Sequence, residues 1–158
     1  MHTWVTELCE REQIEDAKRQ FVARNNQPLI QAIKREIDSV LKVYNEKHPV
    51  HLAGSAGVAI TASQPTPDGG SRWLLNVTKN SAPAGNLKIT FPFNTGALQV
   101  SSKGTSATYQ IDPDKYDAYA EQDPKLVEYV YFVNQDKRHQ IPALIEEVLK
   151  PLLFPQFS

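Results

Sequence analysis

The stretch RWLLNVTKNSAPAGNLKITFPF, residues 72–93, decides the fold. Trp73, Leu75 and Val77 alternate with Arg72, Asn76 and Thr78. After a loop expected from Asn80 to Asn86, Leu87, Ile89, Phe91 and Phe93 alternate with Lys88, Thr90 and Pro92. A period of two sends successive side chains to opposite faces of a sheet, so both runs read as strands with one dry and one wet face. Pro92 cannot donate to a ladder, which predicts an edge position or a bulge there.

The same alternation continues downstream. Leu98 and Val100 follow the turn Asn94 to Gly96, and Ala107, Tyr109 and Ile111 follow Ser101 to Thr105. Connections this short force antiparallel neighbours, because parallel strands need a crossover of a dozen residues or more. Upstream, Val50 with Leu52 and Val58 with Ile60 suggest strands interrupted by the bend AGSAG at 53–57, and QPTPDGGS at 64–71 is a turn by composition. Beyond the meander, Asp112-Pro113 and Asp123-Pro124 bracket an acidic segment expected to hold a helical turn or two with Asp112 as its cap. LVEYVYFV at 126–133 reads as a covered strand.

Helical spacing takes over at both ends. Residues 3–23 carry a narrow apolar stripe of Trp4, Val5, Leu8, Ile14, Ala17, Phe21 and Val22. Asn25 to Gln27 then precede Pro28, a pattern that predicts a cap and a new helix. From Leu29 to Tyr44 the positions Ile30, Ile33, Ile37, Val40, Leu41 and Tyr44 step by three and four, the most regular helical signal in the chain. A last helix is expected over Ile141 to Leu149, ended by Pro151 and followed by the apolar tail LLFPQF at 152–157. Together these elements give an α+β two-layer sandwich in one domain, residues 1–158. An antiparallel meander of five to six strands has N-terminal helices and a C-terminal helix packed on the face of Trp73, Leu75, Ile89, Phe91, Val100 and Tyr109.

The 158 residues, 17.8 kDa, are 41% hydrophobic and 22% charged, which disfavours a disordered or fibrous chain. No apolar run reaches a membrane span, and the first ten residues are charged with no hydrophobic leader, so a cytoplasmic protein without membrane contact is expected. Formal charge is −1, with the middle of the chain, residues 49–111, holding four bases and one acid. Its polar sheet face is mildly basic but has no aromatic side chains interleaved for base stacking, which disfavours nucleic acid.

No motif passes a test of both spacing and context. Ser55 sits in a relaxed nucleophile elbow, yet an antiparallel meander cannot supply the strand-turn-helix that elbow needs. His48 and His51, with Cys9, His2 and His139 as more distant ligands, fall short of a metal set, and the acids Asp112, Asp114, Asp117, Glu121 and Asp123 lack the order and glycine of a calcium loop. No metal and no cofactor is therefore expected. Cys9 among acids is a poor thiolate. Two functional readings remain. The first is a non-enzymatic interaction, adaptor or assembly module whose interface is the tail, Leu152, Leu153, Phe154 and Phe157, docking on a second copy or another protein. The second is a small-ligand domain or small enzyme with a pocket between helices and sheet, for which Tyr109, Tyr129, Tyr131 and His139 are the polar groups. The tail has its own bland explanation, that it folds back to close the protein's core.

Overall fold

In the computed structural model, residues 2–47, 57–65, 70–79, 82–92, 97–102, 104–113 and 130–157 are described. The element order is α1 (Thr3–Lys47), β1 (Gly57–Pro65), β2 (Ser71–Lys79), β3 (Ala82–Phe91), β4 (Ala97–Ser102), β5 (Thr105–Pro113), β6 (Val130–Asn134), β7 (Lys137–His139), α2 (Ile141–Leu153) and a final 3-10 turn (Pro155–Phe157). The strands form one antiparallel sheet in chain order, β1 to β7, six of ordinary length and a three-residue seventh. This is the expected α+β sandwich with an open sheet. Both helices lie on one face, α1 against α2 and β1, α2 against β3, β6 and β7.

Register explains the dry face. Trp73 pairs with Ile89, Leu75 with Leu87, Ile89 with Val100, Leu98 with Tyr109, and Ile111 with Phe132, so the large apolar side chains stack in rows across the sheet. They meet Leu29, Ile33, Ile37 and Leu41 of α1 and Leu144, Ile145 and Leu149 of α2 in a single core. On the other face Asn76, Thr78, Lys88, Gln99, Thr108 and Gln110 are exposed.

Several local expectations are corrected. The break between the two N-terminal helices is as expected, since α1 joins two helical stretches across a kink at the non-helical Asn25 (φ −113°, ψ 17°); what differs is only that Pro28 follows with no loop between them. Pro28 has no N–H for the carbonyl four residues back, and the opened turn at Asn25 relieves its ring, while Asn25 Nδ2 donates to the Phe21 carbonyl at 3.0 Å. The loop expected at Asn80 to Asn86 is mostly strand. β3 starts at Ala82, and Pro83 is accommodated beside a register shift where Val77 pairs with Gly85 and Thr78 with Pro83. The strand ends at Phe91, so Pro92 lies just outside the ladder. Asp112 is not a helix cap but part of β5, opposite Tyr131.

β7 has no counterpart in the sequence reading. A two-residue turn, Gln135 (φ 49°) and Asp136 (φ 64°), joins it to β6, the left-handed pair that matches the twist of a hairpin, made here without the Asn-Gly signal that usually announces it. α2 likewise does not stop at Pro151 but runs to Leu153. Phe93, the turn at Asp68-Gly69, His48, His51, Ser55, the acids from Asp114 to Asp123, and Leu126 to Tyr129 lie outside the described residues.

Candidate functional site

Three places could carry function: a polar cluster at the β7 side of the sheet, the C-terminal tail, and the first half of α1. The cluster is built by three elements. Tyr109 points from β5 to the helical face beside Phe132, and His139, opposite Phe132 in the β6–β7 pairing, points the same way. Their rings meet edge to face at 6.3 Å between centroids. Glu147 of α2 completes the group. Its Oε2 lies 2.8 Å from His139 Nε2 but off the ring N–H direction, a close contact rather than a directed hydrogen bond. The Tyr109 hydroxyl bonds to the same carboxylate. Burial first, then the charge of Glu147 and that hydrogen bond, raise the tyrosine pKa above its usual value of 10.0.

Of the four polar groups expected to line a pocket, the structure therefore brings Tyr109 and His139 together, and Glu147 joins them. Tyr131 is on the opposite face, where the Arg138 guanidinium stacks 4.1 Å from its ring centre and approaches Asp112 at 3.4 Å. Tyr129 lies outside the described residues. Glu147 gives no sequence signal, because it reads as one of the solvated acids on the polar side of the last helix.

The recesses lie elsewhere. One of about 190 Å³ opens between α2 and the β3–β4 strands, lined by Gly85, Leu87, Ser102, Val148, Pro151 and Leu152. Another, about 320 Å³, is a shallow depression on the solvent face around Leu74, Asn76, Asn86, Lys88 and Ser101. The first is lined by no titratable group and the second by Lys88 alone, and among the described residues no three His, Cys, Asp or Glu side chains are placed to hold one metal ion.

In the tail the four apolar residues part company. Leu153 is buried and Leu152 half-buried against the core, whereas Phe154 and Phe157 are exposed, Phe157 at 71%. Phe154 stands edge-on to Tyr44 of α1 at 5.6 Å and tilted against Phe157 at 6.3 Å, so the chain folds back over its own first helix.

Among the described residues, more apolar side chains are exposed at the other end. Residues 2–16 are exposed at every position, so the first four turns of α1 project from the body as an arm, and burial begins only at Phe21 and Val22. The arm carries Trp4 (62% exposed), Leu8 and Ile14 (about half exposed) and Val5. Known proteins offer no guide. The chain matches no family model, no curated protein and no solved structure.

Proposed function

We propose that this protein is a non-enzymatic interaction or assembly module whose helical arm, residues 2–16, docks on a protein surface. The observation that carries the reading is an entire helical segment that keeps Trp4, Val5, Leu8 and Ile14 in water. Scattered apolar side chains are ordinary on a surface, but a helix gains most of its stability from packing an apolar face. A segment of about 12–15 residues is marginal by itself in water. An arm of this length therefore stands to gain both its order and its burial from whatever covers it, and Trp is among the residues that most often anchor interfaces. Phe154 and Phe157 would add a smaller patch. No helix among the described residues is long and apolar enough to cross a membrane.

The small-ligand alternative draws its support from the meeting of Tyr109, His139 and Glu147; the recesses described above are lined by none of the three. Against it stands the absence of any described recess beside the trio, in which the Tyr109 hydroxyl is already bonded to Glu147. A photo-crosslinking residue at position 4 of the full chain, activated in an extract of the native cell, tests the proposal. Protein adducts that disappear when Leu8 is changed to Glu support it. No adduct at position 4 or at position 14 would overturn it.

A further inference from the structure

The charges of α1 are sorted along its length. Residues 2–16 hold five acids, Glu7, Glu10, Glu12, Glu15 and Asp16, and one base, Arg11; residues 17–35 hold five bases, Lys18, Arg19, Arg24, Lys34 and Arg35, and no acid. Except for the half-buried Lys18, all of these side chains are exposed. Within one helix such blocks meet only at their boundary, as Arg19 and Asp16 do at 3.1 Å. Glu15, three and four residues from Lys18 and Arg19, shares that boundary, whereas Glu7, Glu10 and Glu12 lie more than a turn from any base of the second block, where water and salt screen the attraction.

Two helices of this kind have one good way to lie together. Side by side and parallel, they set acid against acid and base against base. Laid antiparallel with the crossing at the boundary, they set each acidic arm along the other's residues 17–31, where Lys18, Arg19 and Arg24 stand without an acid, twice, by a two-fold axis. We infer that the surface the arm docks on is a second copy of this chain, its α1 antiparallel to the first and crossing it near Asp16 and Ala17. The inference rests on the interaction reading above and names its partner. A partner of any other sequence would have to supply a complementary gradient of its own, whereas this chain carries both halves.

Positions equally far from the boundary then face one another. Glu15 and Asp16 meet the partner's Lys18 and Arg19, and Glu7 and Glu10 flank the partner's Arg24. Trp4 and Leu8, level with the partner's positions 29 and 25, come down along its solvent-facing side at Ala23, Arg24, Gln27 and Gln31, while Asn25, Asn26 and Leu29 are buried against the body. The overlap runs over about 30 residues of each helix, or roughly 45 Å at 1.5 Å per residue.

The purified full-length chain is examined by sedimentation equilibrium in low salt and in about 1 M sodium chloride, where the screening length falls to roughly 3 Å. A concentration-dependent dimer that weakens in high salt is expected. The double variants E12K/E15K and K18E/R19E should each raise the dissociation constant at least tenfold, and an equimolar mixture of the two should recover association as a heterodimer. Circular dichroism melts establish that the variants remain folded. The single cysteine, Cys9, exposed on the arm, gives a second readout that alters no charge. In the variant A23C, mild oxidation should link Cys9 of one copy to the introduced thiol of the other. Wild type should form no Cys9–Cys9 disulfide, since those positions lie about 20 Å apart in the antiparallel register. A chain that stays monomeric at every concentration, a dimer indifferent to both charge reversals, or ready Cys9–Cys9 linkage would each overturn the inference. If the purified chain is monomeric but the probe at position 4 labels a different protein, self-pairing fails and the interaction reading stands. If it is monomeric and the probe labels nothing, both fail.

Discussion

Tyr109 has its hydroxyl against the Glu147 carboxylate inside the helical layer, and Tyr44, under the tail, is raised above the usual tyrosine pKa by burial alone. A phenol whose folded pKa is raised favours the folded state while both forms are neutral. Once the pH passes about 10, the unfolded chain sheds its protons first, and the contribution fades as pH climbs towards the folded value. The urea midpoint of the wild type should therefore fall between pH 8 and pH 11, and Tyr109→Phe should fall less steeply, with Tyr44 supplying what remains. Identical slopes would mean that the hydroxyl is hydrated rather than bonded. Gly85 makes a different kind of demand. A Cβ built there would stand 3.3 Å from Leu152 Cδ1, the far end of a flexible side chain. Gly85→Ala should cost under about 1 kcal/mol as Leu152 turns aside, while Gly85→Val, which adds bulk that cannot move, should cost about 1–3 kcal/mol in a denaturant titration. Tyr109 and His139 could be nominated from the sequence because aromatic and titratable side chains stand out in a polar count. Glu147 could not, since its partners Tyr109 and His139 belong to other elements and nothing local to α2 marks which of its exposed acids reaches them.

Along α1 the same helical geometry serves two purposes. Past the kink, Ile33 and Ile37 are fully buried, and Ile37→Ala should cost about 2–5 kcal/mol, the range for truncating a buried aliphatic side chain without collapse of the site. Before it, Trp4→Ala should change the stability of the dilute protein by no more than about 0.5 kcal/mol, because the exposed indole is not part of the core that unfolding would open. A large loss for Trp4→Ala at micromolar concentration would show that the arm is packed even in the isolated chain. Both stripes were legible as helical periodicity, and the arm's was visibly the narrower. That narrowness could not say whether the stripe was covered, since periodicity reports which side chains share a face and not what lies opposite. The elements that escaped were those whose local chemistry points the wrong way. Pro151 reads as a stop, yet α2 continues to Leu153: burying that leucine gains roughly 1.5–3 kcal/mol, close to the ~3 kcal/mol a proline costs a helix interior. β7 is held by its pairing with β6, through a turn whose residues carry no strong turn signature.

For the molecule as a whole, the tail tests whether the C-terminal residues belong to the core. Truncation after Lys150 removes the buried Leu153 and the Phe154 ring that covers Tyr44. The shortened chain should unfold at markedly lower urea at every protein concentration, as core loss requires. A shift that appeared only at high concentration would instead make the tail an interface. By itself the sequence determined the class of fold: alternation of period two over residues 72–111 and spacing of three and four at both ends specify strands and helices, and short connections leave antiparallel order as the only way to join the strands. Those signals are local and repeat along the chain, so they survive being read one residue at a time. Only the tertiary structure decided that the first helix outruns the body and that an arm of exposed apolar residues results. It also decided that Tyr109, His139 and Glu147 meet while Tyr131 faces the other way. Those outcomes depend on where one element ends relative to another, on the finite width of the sheet and on which face each strand turns inward. The free energy of packing settles these between distant segments, and no local stretch of sequence carries it.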